Sequence, residues 1–68
     1  MNEEVFNQEI RKFLKRFGVT AQREIEKAVR DAVASGRLSG TETLKVRARL
    51  ELEGDLGGTL VEDTIKLA

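Results

Sequence analysis

The sequence has no cysteine, histidine, proline, tryptophan or tyrosine, and only three phenylalanines. Without Cys and His there is no zinc ribbon, thiol redox site, His–carboxylate metal centre, or Ser–His or Cys–His nucleophile to assemble. No cofactor and no catalysis are expected, so the chain reads as not an enzyme. The missing Trp and Tyr remove the stacking platforms that single-stranded nucleic acid needs. No apolar run approaches the ~20 residues of a membrane span. The first residues, Met-Asn-Glu-Glu, are acidic where a signal peptide is basic, so a cytoplasmic protein is expected.

What is there suits one small soluble domain over residues 1–68. Of the 68 residues, 40% are hydrophobic and 35% are charged. A domain this short buries only about 60% of its unfolded surface. It is stable by roughly 3–5 kcal/mol unless a partner chain helps. The net charge is zero but segregated. Glu3, Glu4 and Glu9 open the chain. Residues 10–49 hold eleven Lys/Arg against Glu24, Glu26, Asp31 and Glu42, and residues 50–68 hold five acids against Lys66. Such blocks either attract an anionic partner to the middle or fold acidic ends beside it.

Glycines supply the punctuation. Phe6, Ile10, Phe13, Leu14 and Phe17 fall on one helical stripe and predict a helix over 3–17, with its phenylalanines in the core. Lys15 and Arg16 would complement the C-terminal end of its dipole, and Gly18 would stop it. Thr20 serves as the N-cap of a second helix over 20–35, whose face of Ile25, Ala28, Val29, Ala32 and Val33 ends at Gly36. With only Gly18 and Val19 between them, the two helices form a tight helix–turn–helix corner.

Leu44, Val46, Ala48, Leu50 and Leu52 then alternate with charged residues, a strand over 44–53. Residues 59–67 return as its hairpin partner across Gly54-Asp55-Leu56-Gly57-Gly58. The register that pairs apolar residues sets Leu50 against Val61, Val46 against Ile65 and Arg49 against Glu62. Asp63, opposite Ala48, is the one inward residue that breaks the pattern. The predicted fold is therefore α+β, in the order α-α-β-β, with the apolar side of the hairpin on the helix pair.

The blocks Asn2-Glu3-Glu4-Val5-Phe6, Ile10-Arg11-Lys12-Phe13-Leu14-Lys15, Gly18-Val19-Thr20, Gln22-Arg23-Glu24-Ile25-Glu26, Ala28-Val29, Ser35-Gly36-Arg37-Leu38 and Glu42-Thr43-Leu44 carry a resemblance. Together they resemble a family of short, uncharacterised bacterial proteins, a domain of unknown function found mainly in proteobacteria and of about this length. The resemblance covers the whole chain, closely through Leu44 and in pattern beyond. It implies a single-domain bacterial protein and brings no activity, ligand or site residue.

Two function classes compete. A non-catalytic protein-interaction module, its partner another protein or its own copy through the C-terminal strand, is the leading expectation. The alternative is a nucleic-acid-binding domain resembling a reduced winged helix. There Arg23, Lys27 and Arg30, at i, i+4 and i+7, would line the reading helix, and Arg47 and Arg49 would form a basic wing. Glu24, Glu26 and Asp31 on the same helix and the neutral net charge count against it. The glycine-rich turn lacks the Lys-Ser/Thr of a phosphate-binding loop and leads into a strand.

Overall fold

In the computed structural model, which describes residues 1–68, the elements are α1 (Glu3–Ala34), β1 (Thr43–Glu51) and β2 (Gly58–Lys66). The chain divides into two units, Met1–Arg37 and Leu38–Ala68. No helix is long and apolar enough to cross a membrane.

The helix begins where the sequence places it. Asn2 is the N-cap, its Oδ1 accepting from the backbone N–H of Glu4 at 3.0 Å and of Val5 at 3.1 Å. Glu3 and Glu4 occupy the positive end of the dipole.

The predicted helix–turn–helix corner is absent: α1 runs unbroken for 32 residues through Gly18, Val19 and Thr20. Two reasons explain the correction. First, the apolar phase does not break at Gly18. Leu14, Phe17, Ala21 and Ile25 follow one another at helical spacing, and an 11-residue step links Ile10 to Ala21 to Ala32 and Phe6 to Phe17 to Ala28. That repeat of 3.67 residues per turn keeps one face nearly straight along the helix. Second, a glycine inside a helix costs about 1 kcal/mol relative to alanine. A stop would instead strand up to four carbonyls and four N–H groups. A helix-ending glycine takes positive φ; Gly36 does, at 81°, and Gly18 does not.

The true end is a Schellman motif. Arg37 N–H donates to Ala32 O at 2.8 Å and Gly36 N–H to Val33 O at 3.1 Å. Lys15 and Arg16 therefore lie mid-helix, and the last turn has no basic residue.

The hairpin forms as an antiparallel pair, but two residues out of the predicted register. Leu44 faces Ile65, Val46 faces Asp63, Ala48 faces Val61 and Arg47 faces Glu62. A slide of two leaves every side chain on its predicted face and changes only its cross-strand partner. The turn decides the register. Leu52 N–H donates to Gly57 O at 3.0 Å, so the loop is Glu53–Leu56. Gly54 and Gly57 take positive φ, 65° and 105°. Gly58 already sits in the ladder, where a Cβ would collide with the carbonyl oxygen of Leu50.

Neither unit holds a core: no side chain in the chain is buried. The expectation that the phenylalanines are interior is corrected accordingly, since Phe6, Phe13 and Phe17 are 48%, 54% and 46% exposed. Their stripe phase was right; the second helix that was to cover it does not exist.

Candidate interaction surfaces

Several surfaces can be built from these elements. The first is the apolar face of α1. Because the helix is continuous, Phe6, Ile10, Phe13, Leu14 and Phe17 share one stripe with Ala21, Ile25, Ala28, Val29 and Ala32. Its N-terminal half is bulky and exposed, and Phe13 and Phe17 lie nearly parallel with ring centroids 6.3 Å apart. Its C-terminal half is thin, with Ala21, Ile25, Val29 and Ala32 half-buried.

The second surface is the opposite face of the helix. Arg23, Lys27 and Arg30 are all exposed, as a solvated stripe requires. Arg30 is not a free cation: its Nη1 lies 3.3 Å from Glu26 Oε2, four residues earlier. Glu26 also accepts from Gln22 Nε2 at 2.9 Å. The stripe thus combines cations with an ordered carboxylate.

On the hairpin, Arg47 and Arg49 are exposed on the same side of β1 as Lys45. Arg47 stands opposite Glu62 and Arg49 opposite Leu60. These two arginines belong to the second unit, whereas Arg23, Lys27 and Arg30 belong to the first. With the helix–turn–helix corner gone, the recognition helix of the winged-helix comparison has no supporting helix beside it. Asp63, on the other side of the sheet, is exposed, and its Oδ1 accepts from Thr64 N–H at 2.8 Å.

The third surface was missed in the sequence. Ser39-Gly40-Thr41-Glu42 folds around its own carboxylate. Glu42 Oε2 accepts from Ser39 N–H at 2.9 Å, and Oε1 accepts from Gly40 N–H at 3.0 Å and Thr41 N–H at 3.1 Å. The Ser39 and Thr41 hydroxyls lie 2.7 Å apart. The Ser39 backbone N–H, ahead of Glu42's own N–H and that of Gly40, holds the Glu42 carboxyl down at about 2 from 4.5. The available signal was Ser-x-x-Glu, the spacing of a helix capping box. Here it precedes a run that alternates as a strand does, so no helix follows it. Glu42 also anchors the open end of the hairpin, its carbonyl accepting from Leu67 N–H at 2.9 Å.

The fourth surface is a shallow, open depression at the closed end of the hairpin, with Arg49, Leu52, Asp55 and Leu60 among its walls. Nowhere do three carboxylates gather in a group that could hold a metal ion.

No curated protein and no solved structure matches the chain. A family model does, over residues 1–68, and the chain belongs to that family: the family of unknown function DUF6494.

Proposed function

We propose that this chain is a small, non-catalytic protein-interaction module whose docking face is the apolar stripe of α1. One observation carries the reading. A chain with no buried side chain leaves Phe6, Phe13, Leu14 and Phe17 about half exposed on a single helix face. Contiguous exposed apolar surface of this kind marks interaction sites, and an amphipathic helix is a common way to present one. The non-catalytic part rests on the side chains at hand, which offer no Cys or His to act as nucleophile or base. The free edge of β2 is a second surface of the same class. Its last stretch, Thr64-Ile65-Lys66-Leu67, has Lys66 as its only charge, so it is thinly guarded against pairing with another strand. The basic residues do not favour nucleic acid over this reading, because Arg30 is held by Glu26.

A photoreactive phenylalanine analogue tests the proposal in cells that make the protein. Placed at Phe13 it should give protein adducts of defined mass, whereas at Lys27, on the far face, it should give none. No adduct from position 13, equal adducts from both positions, or nucleic-acid adducts from position 27 would overturn the reading.

A further inference from the structure

The stripe of α1 has an order along its length that names its occupant. The three phenylalanines and Leu14 lie before Gly18, and the three alanines of the stripe, with Ile25 and Val29 between them, lie after it. Reversing the helix end for end about Val19 brings eight of the ten stripe residues level with one another and sets Leu14 level with Glu24 and Val29 level with Glu9. Phe6 falls at the level of Ala32, Ile10 at Ala28, Phe13 at Ile25 and Phe17 at Ala21. Each of these four levels then joins a large residue to a smaller one. Within one chain these halves cannot meet, because α1 is unbroken between them.

We propose that the occupant of this face is a second copy of the chain, its α1 antiparallel to the first and related by a twofold axis near Val19. The inference rests on the reading of the stripe as a docking face and adds the partner and its orientation. Size is the main argument. Close packing requires each level of a helix pair to fill about the same volume. A parallel pair in register would stack Phe6, Phe13 and Phe17 on themselves and leave Ala21, Ala28 and Ala32 facing one another across a gap. The antiparallel pair equalises the levels, and the near-straight 11-residue repeat lets the match run from Phe6 to Ala32, about 39 Å at 1.5 Å per residue. Shifting the register by one turn either way leaves Phe6 or Ala32 beyond the other copy's stripe.

Charge agrees with this sense. Helix dipoles oppose favourably, and the acidic first turn of Glu3 and Glu4 comes beside the end of the other copy, where Arg37 is the last charge of the unit. The twofold arrangement is closed, so association stops at two.

Sedimentation equilibrium on the full chain should show a species of twice 7.6 kDa that dissociates on dilution. Phe17→Ala leaves a gap and Ala21→Phe crowds the same level, so each alone should weaken the dimer at least about tenfold. The double variant F17A/A21F has the parent's composition and restores the size match. It should recover the parent dissociation constant to within about threefold. Orientation is read separately with a nitroxide on Q8C, in a chain that has no other cysteine. Residue 8 lies level with residue 30 of the other copy and on the outer face of the pair, so an antiparallel pair sets the labels about 40 Å apart, against about 25 Å for a parallel one. A monomer up to millimolar concentration, a short label distance, or a double variant as weak as the single ones would overturn the dimer. So would a dimer weakened by Ile65→Lys and indifferent to Phe17→Ala. Adducts from position 13 to a different protein would overturn the self-pairing while leaving the interaction module standing, which separates the two failures.

Discussion

The helix of residues 3–34 and the hairpin of residues 43–66 are held by hydrogen bonds of opposite reach. In α1 every backbone bond closes within four residues, so the element tolerates a weak position provided its neighbours agree. In the hairpin Thr43 pairs with Lys66, and the whole ladder depends on where four loop residues place the turn. The helix therefore absorbed Gly18 without a break, whereas the glycine-rich turn moved every cross-strand pair by two residues. What they share is the lack of a buried side chain. An isolated hairpin is marginal in water, and a helix owes most of its stability to packing of its apolar face. Hydrogen-bond pattern defines both elements; burial must stabilise them, and an exposed stripe on α1 is where another molecule can supply it.

The largest expected effect breaks the helical half of this comparison. In a helix–turn–helix corner capped by Thr20, position 21 would be the first helical residue, where proline is welcome. In an unbroken helix Ala21→Pro removes the bond to Phe17 O and clashes with that turn, costing about 3 kcal/mol or more. Backbone chemical shifts should lose helical character around residues 17–24 and keep the strand values of residues 43–66. Unchanged shifts at 17–24 would restore the corner.

The hairpin half breaks at Gly58. Its Cβ position is filled by the Leu50 carbonyl, so Gly58→Ala must displace backbone, a cost of about 1–3 kcal/mol by analogy with overpacked sites. Amide exchange at Leu50 and Leu52, whose N–H groups point at β2, should accelerate while that in α1 stays the same. Equal protection in parent and variant would show that the register differs from the one described.

The same substitution at two other glycines should act with opposite signs. Gly18 is helical with open space where a Cβ would stand, so Gly18→Ala should stabilise α1 by up to about 1 kcal/mol. Gly36 has φ 81° and closes the Schellman motif, so Gly36→Ala should destabilise by about 1 kcal/mol. Thermal unfolding followed by far-UV circular dichroism reads both, and equal signs would contradict the helix boundaries.

Those two glycines also show what was legible. Both ends of α1 could be read, the start from Glu3, Glu4 and the stripe that opens at Phe6 and the stop from Ser35-Gly36, because helix ends are local chemistry. The hairpin could be read from strict alternation in residues 44–52, and period two also gave the correct faces. The internal corner could not be read from Gly18 alone, since the same residue ends a helix at positive φ and merely weakens one at negative φ. The continuity of the stripe from Leu14 to Ile25 was the better evidence. Register was illegible in the strands because two settings put the same residues on the same face; only the positive-φ glycines of the turn separate them. Of the candidate site, the phase of the apolar stripe was readable, but its exposure was not. An apolar periodicity says which way side chains point, not whether anything covers them.

The Ser39–Glu42 loop makes the comparison depend on pH. Glu42 is held down at about 2 against an ordinary 4.5. A carboxylate with a depressed pKa contributes stability above its unfolded value and loses it as pH falls through the folded one. The loop should therefore hold its bonds above about pH 4.5 and release them between there and about pH 2. Carboxyl-resolved NMR should find Glu42 titrating well below the ordinary 4.5, and Glu42→Gln should flatten the acid limb of the amide shifts of Ser39 and Gly40. A Glu42 midpoint near 4.5 would mean the loop is open.

The smallest effect belongs to Arg30 and Glu26, whose side chains are 77% and 41% exposed. An i,i+4 pair on a solvated helix face is worth about 0.2–0.5 kcal/mol, and salt screens much of that. Glu26→Gln removes the pair and exchanges the acceptor of Gln22 for an amide, so it should lower helix stability by no more than this and only at low ionic strength. At ~1 M salt, where the screening length falls to about 3 Å, parent and variant should melt together. The same substitution frees Arg30 and makes the stripe of Arg23, Lys27 and Arg30 fully cationic. If duplex DNA then binds E26Q at ~150 mM salt while the parent stays unbound, Glu26 is what keeps this face of the helix from acting as a phosphate-binding surface.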